Sequence, residues 1–459
     1  MQIMKRYPER RGLLASPGMV GRPVKGVYFF PGERGANEKL YTVHPQDPRD
    51  ERWNSDPKTR SWVMERVVKA HLNTVVMSYW SNMPQWSPMA LDATSLAGVL
   101  DAVEKRPLTI LPAIEGGHAP QFPQIPQWEL SREFPREPKT NALAPGLLER
   151  IGWLAELFAG KRRKLWTQIY DRDGLPRHAI HLIHTCSYVM GSIPESKRAA
   201  VFAEAFDAVA QEAEKRFGIR VGFTLDAIGG QSYSPYPKQA GAALERVSAV
   251  LAIQGFASEV FSGLVKNGPP GKPYDNNKDN LESLLKWRRE TLNDWLATGI
   301  PVFLDISNGF DGRIVWGGGG TGFWGDNADY TEDRWRNGMS LLKGPDVRGI
   351  VFNTWNGYTE GYAAVPTREH GTTVYEWLTD VMRPLPWEPT HTHYTGGKAT
   401  YKVSGPIRQK WIDLGGELGF GAPTGPERRQ REGKLQSFAG DRAIYWSKST
   451  GAMESKEKR

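Results

Sequence analysis

Short apolar runs rich in β-branched residues alternate along most of the chain with longer stretches whose apolar positions recur every three or four residues. The first kind reads as buried strand and the second as amphipathic helix. Strands are expected at Val24–Phe30, Asn73–Trp80, Leu108–Glu115, His178–Cys186, Val221–Asp226, Val250–Gly255, Ile300–Ile306 and Ile350–Thr354. Helices are expected at Ser61–His71, Asp92–Lys105, Leu147–Leu165, Glu195–Phe217, Ala242–Ser248, Asn280–Ala297, Thr331–Leu342 and Thr372–Met382. Strand followed by helix, about eight times over, implies a parallel sheet with helical crossovers. Over residues 24–385 this fits a (β/α)8 barrel of TIM type, an α/β fold, better than an open sheet.

Barrels of this kind build their sites at the C-terminal ends of the strands. Here those ends carry Tyr79-Trp80, Glu115-Gly116-Gly117-His118, His184-Thr185, Asp226, Gln254, Asp305 with Asn308 and Asp311, and Asn353 to Glu360. Residues 1–23 precede the first strand as an extension. The Pro-rich stretch Arg383-Pro-Leu-Pro-Trp-Glu-Pro389 ends the barrel and opens a linker at 386–397. A Gly-rich module with isolated aromatics follows at 398–454. A module of that size has a small core and leans on a neighbour for stability.

Composition narrows the class. Of 459 residues, 39% are hydrophobic and 24% charged, as in a globular protein. Cys186 is the only cysteine, which excludes a disulfide within the chain. No apolar run reaches the length of a membrane span. The N-terminus, M-Q-I-M-K-R-Y-P-E-R-R-G, has basic residues without a following apolar segment, so no secretory signal is expected in this chain. The net charge of +8 is scattered, with short clusters at Lys161–Lys164 and Arg428–Arg431. That distribution suits an anionic cell envelope and does not suggest nucleic-acid binding. There are 17 Trp, and Trp80, Trp86, Trp316, Trp324 and Trp355 sit beside Gly, Pro, Ser or Asn. Tryptophans in loops suit flat contacts with sugar rings.

The segment I-V-F-N-T-W-N-G-Y-T-E-G (Ile350–Gly361) is the richest in chemistry. A buried strand breaks into Asn, Trp, Gly, Tyr and Glu, and a carboxylate among aromatic rings at a strand end suits glycosidic bond cleavage. Glu360 is the first choice for the acid. Trp355, Asn356 and Tyr358 would set its surroundings. Such cleavage needs a second carboxyl group. Asp226, which ends V-G-F-T-L-D, is favoured, with Glu115 close behind and Asp305 and Asp311 as further candidates. His118 and His184 suit contacts with substrate hydroxyls. Trp80, Trp316, Asn308 and Arg313 complete the expected substrate-binding set. No His/Cys/Asp cluster has metal spacing, so neither a metal nor a cofactor is expected. Gly317–Gly320 lacks the Lys and Ser/Thr of a phosphate loop and reads as a rim loop.

Two resemblances add to this reading. Gly405–Thr424 (G-P-I-R-Q-K-W-I-D-L-G-G-E-L-G-F-G-A-P-T) followed by Gly433–Ala452 resembles an LGFP repeat, with Ile407, Trp411, Gly419, Pro423, Phe438, Tyr445 and Trp446 among its anchors. That resemblance implies attachment to a mycolate-bearing actinobacterial cell wall. F-N-T-W-N-G-Y-T-E-G (Phe352–Gly361) is similar to N-E-W-H-E-G of family 99 glycoside hydrolases and to W-N-D-Y-G-E-S of family 71 α-1,3-glucanases. In the same order, P-A-I-E-G-G (Pro112–Gly117), F-T-L-D-A-I (Phe223–Ile228) and S-N-G-F-D-G-R (Ser307–Arg313) are similar to strand ends of family 99. This implies that Glu360 is a general acid/base. The partner carboxylate of both motifs falls on Gly357, which has no side chain.

Together these readings lead to an expected endo-acting glycosidase for an envelope polysaccharide such as arabinogalactan, lipoarabinomannan, mannan or α-glucan. It is expected to be a monomer, extracellular or wall-associated. A sugar-binding protein without catalysis and a phage-encoded envelope-degrading enzyme are the alternatives.

Overall fold

The computed structural model describes residues 24–30, 38–78, 93–115, 143–173, 175–183, 195–226, 247–255, 266–267, 278–311, 314, 321–324, 347–382, 391–396, 399–414 and 420–456. Eight strands form the barrel: β1 (Val24–Phe29), β2 (Thr74–Ser78), β3 (Thr109–Glu115), β4 (Pro176–Ile183), β5 (Val221–Asp226), β6 (Val250–Gln254), β7 (Val302–Ile306) and β8 (Val347–Phe352). Each pairs in parallel with the next, and β8 pairs with β1, so the sheet closes. Helices α1 (Pro57–Lys69), α2 (Ala93–Val103), α3 (Leu143–Leu157), α4 (Glu195–Phe217), α5 (Lys278–Ala297) and α6 (Thr373–Val381) lie between or after the strands. Asp56 caps α1 by accepting from the backbone N–H groups of Lys58 and Thr59, and Pro57 occupies the first helical position.

Alternation along each strand separates two cores. On β5, Val221, Phe223 and Leu225 join the large outer cluster against the helices. The inner cluster takes Val24, Tyr28, Leu111, Ala113, Ala179, Phe303 and Val351, among others. Where β8 crosses β1, Gly349 is opposite Val24, and a Cβ there would lie 2.7 Å from both the Val24 side chain and its carbonyl oxygen. Only glycine allows this close approach of the two strands.

Most expected elements are present with shifted ends. Helix α4 and strand β5 match their expected bounds. The expected helix Leu147–Leu165 is instead α3 followed by a 3-10 turn, Gly160–Leu165, because Gly160 (φ +59°) is left-handed and breaks the helical path. A short strand the pattern did not reveal, Gln168–Tyr170, pairs antiparallel with the start of β4. There, at the N-terminal end of the barrel, His178 stacks on Trp166 at 4.9 Å, and burial, aided by the nearby Arg163 charge, pushes the imidazole down to about 3. It is a neutral packing group. The expected helix Thr331–Leu342 and most of the one at Ala242–Ser248 lie outside the described residues.

After the barrel, strands β9 (His391–Gly396) and β10 (Ala399–Ser404) form an antiparallel hairpin. Residues 391–396, expected within the linker, are therefore strand. Helix α7 (Gly405–Asp413) packs on a four-stranded antiparallel sheet of β11 (Arg428–Gln430), β12 (Gly433–Phe438), β13 (Arg442–Ser447) and β14 (Gly451–Lys456). Its core is Val403, Ile407, Trp411, Phe420, Phe438 and Ile444, and Tyr170 from the barrel completes the same cluster. Trp411 is fully buried, donates its indole N–H to the Gly421 carbonyl at 2.9 Å and stacks near Phe438.

Candidate active site

The inner face of the barrel turns polar at the C-terminal strand ends. On β5, Thr224 and Asp226 share the parity of Gly222, opposite to the apolar outer row. Thr224 Oγ1 donates to Gln254 Oε1 at 3.2 Å, and Gln254 Nε2 donates to the Tyr28 hydroxyl at 2.8 Å. His181 Nδ1 lies 2.9 Å from Thr224 Oγ1 and 3.1 Å from the Thr224 carbonyl. With the threonine hydroxyl spent on Gln254, Nδ1 is the ring nitrogen that carries the proton, and Nε2 is an acceptor. Four strands thus contribute to one buried network. Burial, then the Asp226 charge, push the Tyr28 phenol well above its ordinary range, so it stays protonated. Asp226 is therefore a buried carboxylate beside a neutral phenol, and it pairs in register with Gln254 on β6.

Glu360 is placed by the loop that leaves β8. Trp355 N–H donates to the Tyr28 carbonyl at 2.7 Å, which ties the start of the loop to β1. The loop then doubles back: Gly357 bridges Tyr362, and both Thr354 N–H and Oγ1 donate to the Tyr362 carbonyl at 3.1 and 2.8 Å. The Tyr362 hydroxyl donates to a Glu360 carboxylate oxygen and fixes its rotamer. The Tyr362 ring stacks on Phe310 at 5.4 Å and meets Phe30 edge-on at 6.3 Å. Asp311 N–H donates to the Glu360 carbonyl at 2.8 Å, so the loops after β7 and β8 are joined. Glu360 itself is half-buried.

The expected residues separate into groups. Asp226, Asp305, Asn308, Asp311 and Glu360 stand at the C-terminal ends of β5, β7 and β8 or just beyond them. Glu115 ends β3 in register with Ile183. Trp80, His118, His184, Arg313 and Trp316 lie outside the described residues. Trp355, Asn356 and Tyr358 take a different place from the one expected. Trp355 is 1% exposed, stacked on Phe29 at 5.5 Å and edge-on to Tyr375 in the outer core, so neither ring face is open to a sugar. Asn356 accepts from Phe30 N–H at 2.9 Å and donates to its carbonyl at 2.6 Å, pinning the loop to β1. Tyr358 is buried against Tyr41. All three hold the loop from behind. Tyr28, His181 and Tyr362 were not in the expected set, and Gln254 was named only as a polar strand end. The signal for Tyr28 and His181 was a polar or half-polar residue on an otherwise apolar strand, at inward parity.

Gly357 explains the missing motif carboxylate. A Cβ there would lie 2.7 Å from Thr354 Oγ1 and about 3.0 Å from the Tyr362 ring. The space is taken by the residue that holds Glu360. Gly357→Asp is expected to leave activity no higher than wild type and to cost about 1–3 kcal/mol of stability, as overpacking does. Paired thermal melts and rate assays check both parts.

Among the described residues, no group of three His, Cys, Asp or Glu side chains is arranged to hold a metal ion. No described helix is long and apolar enough to cross a membrane.

The fold and mouth define a closed eight-stranded parallel barrel of TIM type with a polar C-terminal opening and a small antiparallel module. Within that module, residues 420–457 match the LGFP repeat. No curated protein matches the chain. Among solved structures, the GH99 endo-alpha-mannosidase from Bacteroides thetaiotaomicron is 13% identical with a TM-score of 0.43, over 78% of this chain and 89% of that one. GH5_18 from Streptomyces cattleya is 11% identical with a TM-score of 0.44, over 80% and 81%. The exo-beta-1,4-mannosidase Op5Man5 from Opitutaceae bacterium strain TAV5 is 12% identical with a TM-score of 0.46, over 79% and 59%.

Proposed function

We propose that the chain is an endo-acting glycoside hydrolase for an actinobacterial envelope polysaccharide, with Glu360 and Asp226 as its working carboxyl groups. This reading is supported by two differently housed carboxyl groups at the same end of the barrel, Asp226 at the end of β5 and Glu360 on the loop after β8. Glu360 is half-buried and oriented by Tyr362, whereas Asp226 is buried beside the protonated Tyr28. Groups in unlike surroundings divide acid and base roles between them. Glu360 would protonate the leaving oxygen, and Asp226 would stabilise the oxocarbenium-like centre or activate water. Glu115, Asp305 and Asp311 remain candidates for the second role. His118, His184, Trp80 and Trp316, with Asn308 and Arg313, would bind sugar. The LGFP match supports a wall-bound setting, and arabinogalactan, lipoarabinomannan, mannan and α-glucan are the polymers proposed.

One observation favours a second reading. The motif position of the partner carboxylate is Gly357, and the space for a side chain there is taken by Thr354 Oγ1 and the Tyr362 ring, which suits a binding protein that keeps the mouth without catalysis. A reducing-end assay on purified mycobacterial arabinogalactan, lipoarabinomannan and α-glucan separates the two. New reducing ends from one polymer are expected. Retention on the polymers with no new ends would establish the binder instead.

A further inference from the structure

We propose that Asn353 forms a hydroxyl-binding subsite on the floor of the barrel mouth. Strands β7 and β8 are neighbours, with Phe352 opposite Ile306. Asn353 N–H continues that ladder by donating to the Ile306 carbonyl at 2.7 Å, which sets Asn353 beside Ser307. Parity fixes the direction of its side chain. Val351 is in the inner cluster and Phe352 in the outer one, so Asn353 faces inward. On its other side β8 runs against β1, with Val27 opposite Phe352, so Asn353 adjoins Tyr28 and its hydrogen-bond network.

Asn353 is fully buried, yet neither its amide nitrogen nor its amide oxygen has a hydrogen-bond partner among the described residues. The amide oxygen of Asn308, also buried, is in the same condition. Buried polar atoms are nearly always paired, and an unpaired amide weakens a fold. An amide with both polar atoms unmet at the end of β8 therefore carries a cost that packing does not explain. An asparagine edge offers two donors beside an acceptor, and a hydroxyl both donates and accepts. A vicinal diol of a sugar ring matches that edge. Binding would satisfy groups that the free protein leaves unmet, and a deoxy sugar would be discriminated against strongly.

This subsite rests on the glycosidase reading, and the test keeps the two apart. Glu360→Gln serves as the parent, and its affinity for soluble fragments of arabinogalactan, lipomannan and α-glucan is measured by titration calorimetry. Asn353→Leu, of similar volume, is added to it, with Asn353→Ala as the second variant should leucine not fit. The expected result is a melting temperature equal to or above the parent's, with affinity for the preferred fragment down at least about tenfold, the loss of two hydrogen bonds to a ligand. A clear drop in melting temperature for both variants would make the amide structural and overturn the proposal. Unchanged affinity would overturn it as well. A parent that binds none of the fragments overturns the glycosidase reading and the subsite with it.

Discussion

Glu360→Gln is expected to fold and bind sugar as the wild type does while its hydrolytic rate falls by about 10² to 10⁴, the usual cost of removing a positioned acid. The fold should tolerate the change because Glu360 is half-buried and the amide oxygen of glutamine can still accept from the Tyr362 hydroxyl. The backbone bond from Asp311 to residue 360 does not depend on the side chain. What glutamine cannot do is deliver a proton to a leaving oxygen. Initial rates on the polymer found in the reducing-end assay, read with a thermal melt, give the answer. A variant that keeps more than about a tenth of the wild-type rate would exclude Glu360 as the acid. Asp226→Asn in parallel assigns the second group, since a neutral side chain beside Tyr28 can neither support a cation nor activate water.

The second large effect belongs to the module. Trp411→Ala is expected to cost about 3–5 kcal/mol, the range for truncating a buried tryptophan. A unit of this size holds little more than that in reserve. Trp411 packs among Ile407, Phe420 and Phe438, and its indole N–H is bonded to Gly421, so truncation leaves both a cavity and an unmet carbonyl. The module should unfold while the barrel does not, because the outer and inner barrel clusters contain no module residue. Limited proteolysis should therefore cut near residue 390 and leave a resistant barrel, and binding to mycolate-bearing cells should fall. Activity on a soluble oligosaccharide should persist. Collapse of the whole chain would instead make the module a structural part of the barrel.

The barrel was legible because its signals are local. Five or six consecutive apolar residues, broken by helical stretches, identify a strand buried on both faces, and β5 and α4 have the bounds their patterns imply. The polar strand ends were legible for the same reason. Trp355 shows where that stops. In sequence it stands beside Asn and Gly like a loop residue, but the loop doubles back and turns its ring into the outer core against Phe29. Gly357 shows the same limit: no pattern says that Tyr362, five residues on, fills the space a carboxylate would need. His181 and Tyr28 were hidden by their company, since each stands in an apolar strand and only pairing across β4, β5, β6 and β1 brings them together. Gln168–Tyr170 is too short to show any period.

Tyr170 governs how such a protein would work on a surface. It belongs to the strand that pairs with Pro176 and its neighbours, at the end of β4 opposite the mouth. The module shares its core with that residue, so it is seated under the barrel floor. With a rise of about 3.3 Å per residue and a strand tilt of about 36°, an eight-residue strand such as β4 sets roughly 20 Å between the seat and the opening. If the module holds a surface and the mouth holds a polymer, as proposed above, the two sites would be occupied by different segments, and the mouth would open away from the surface the module holds.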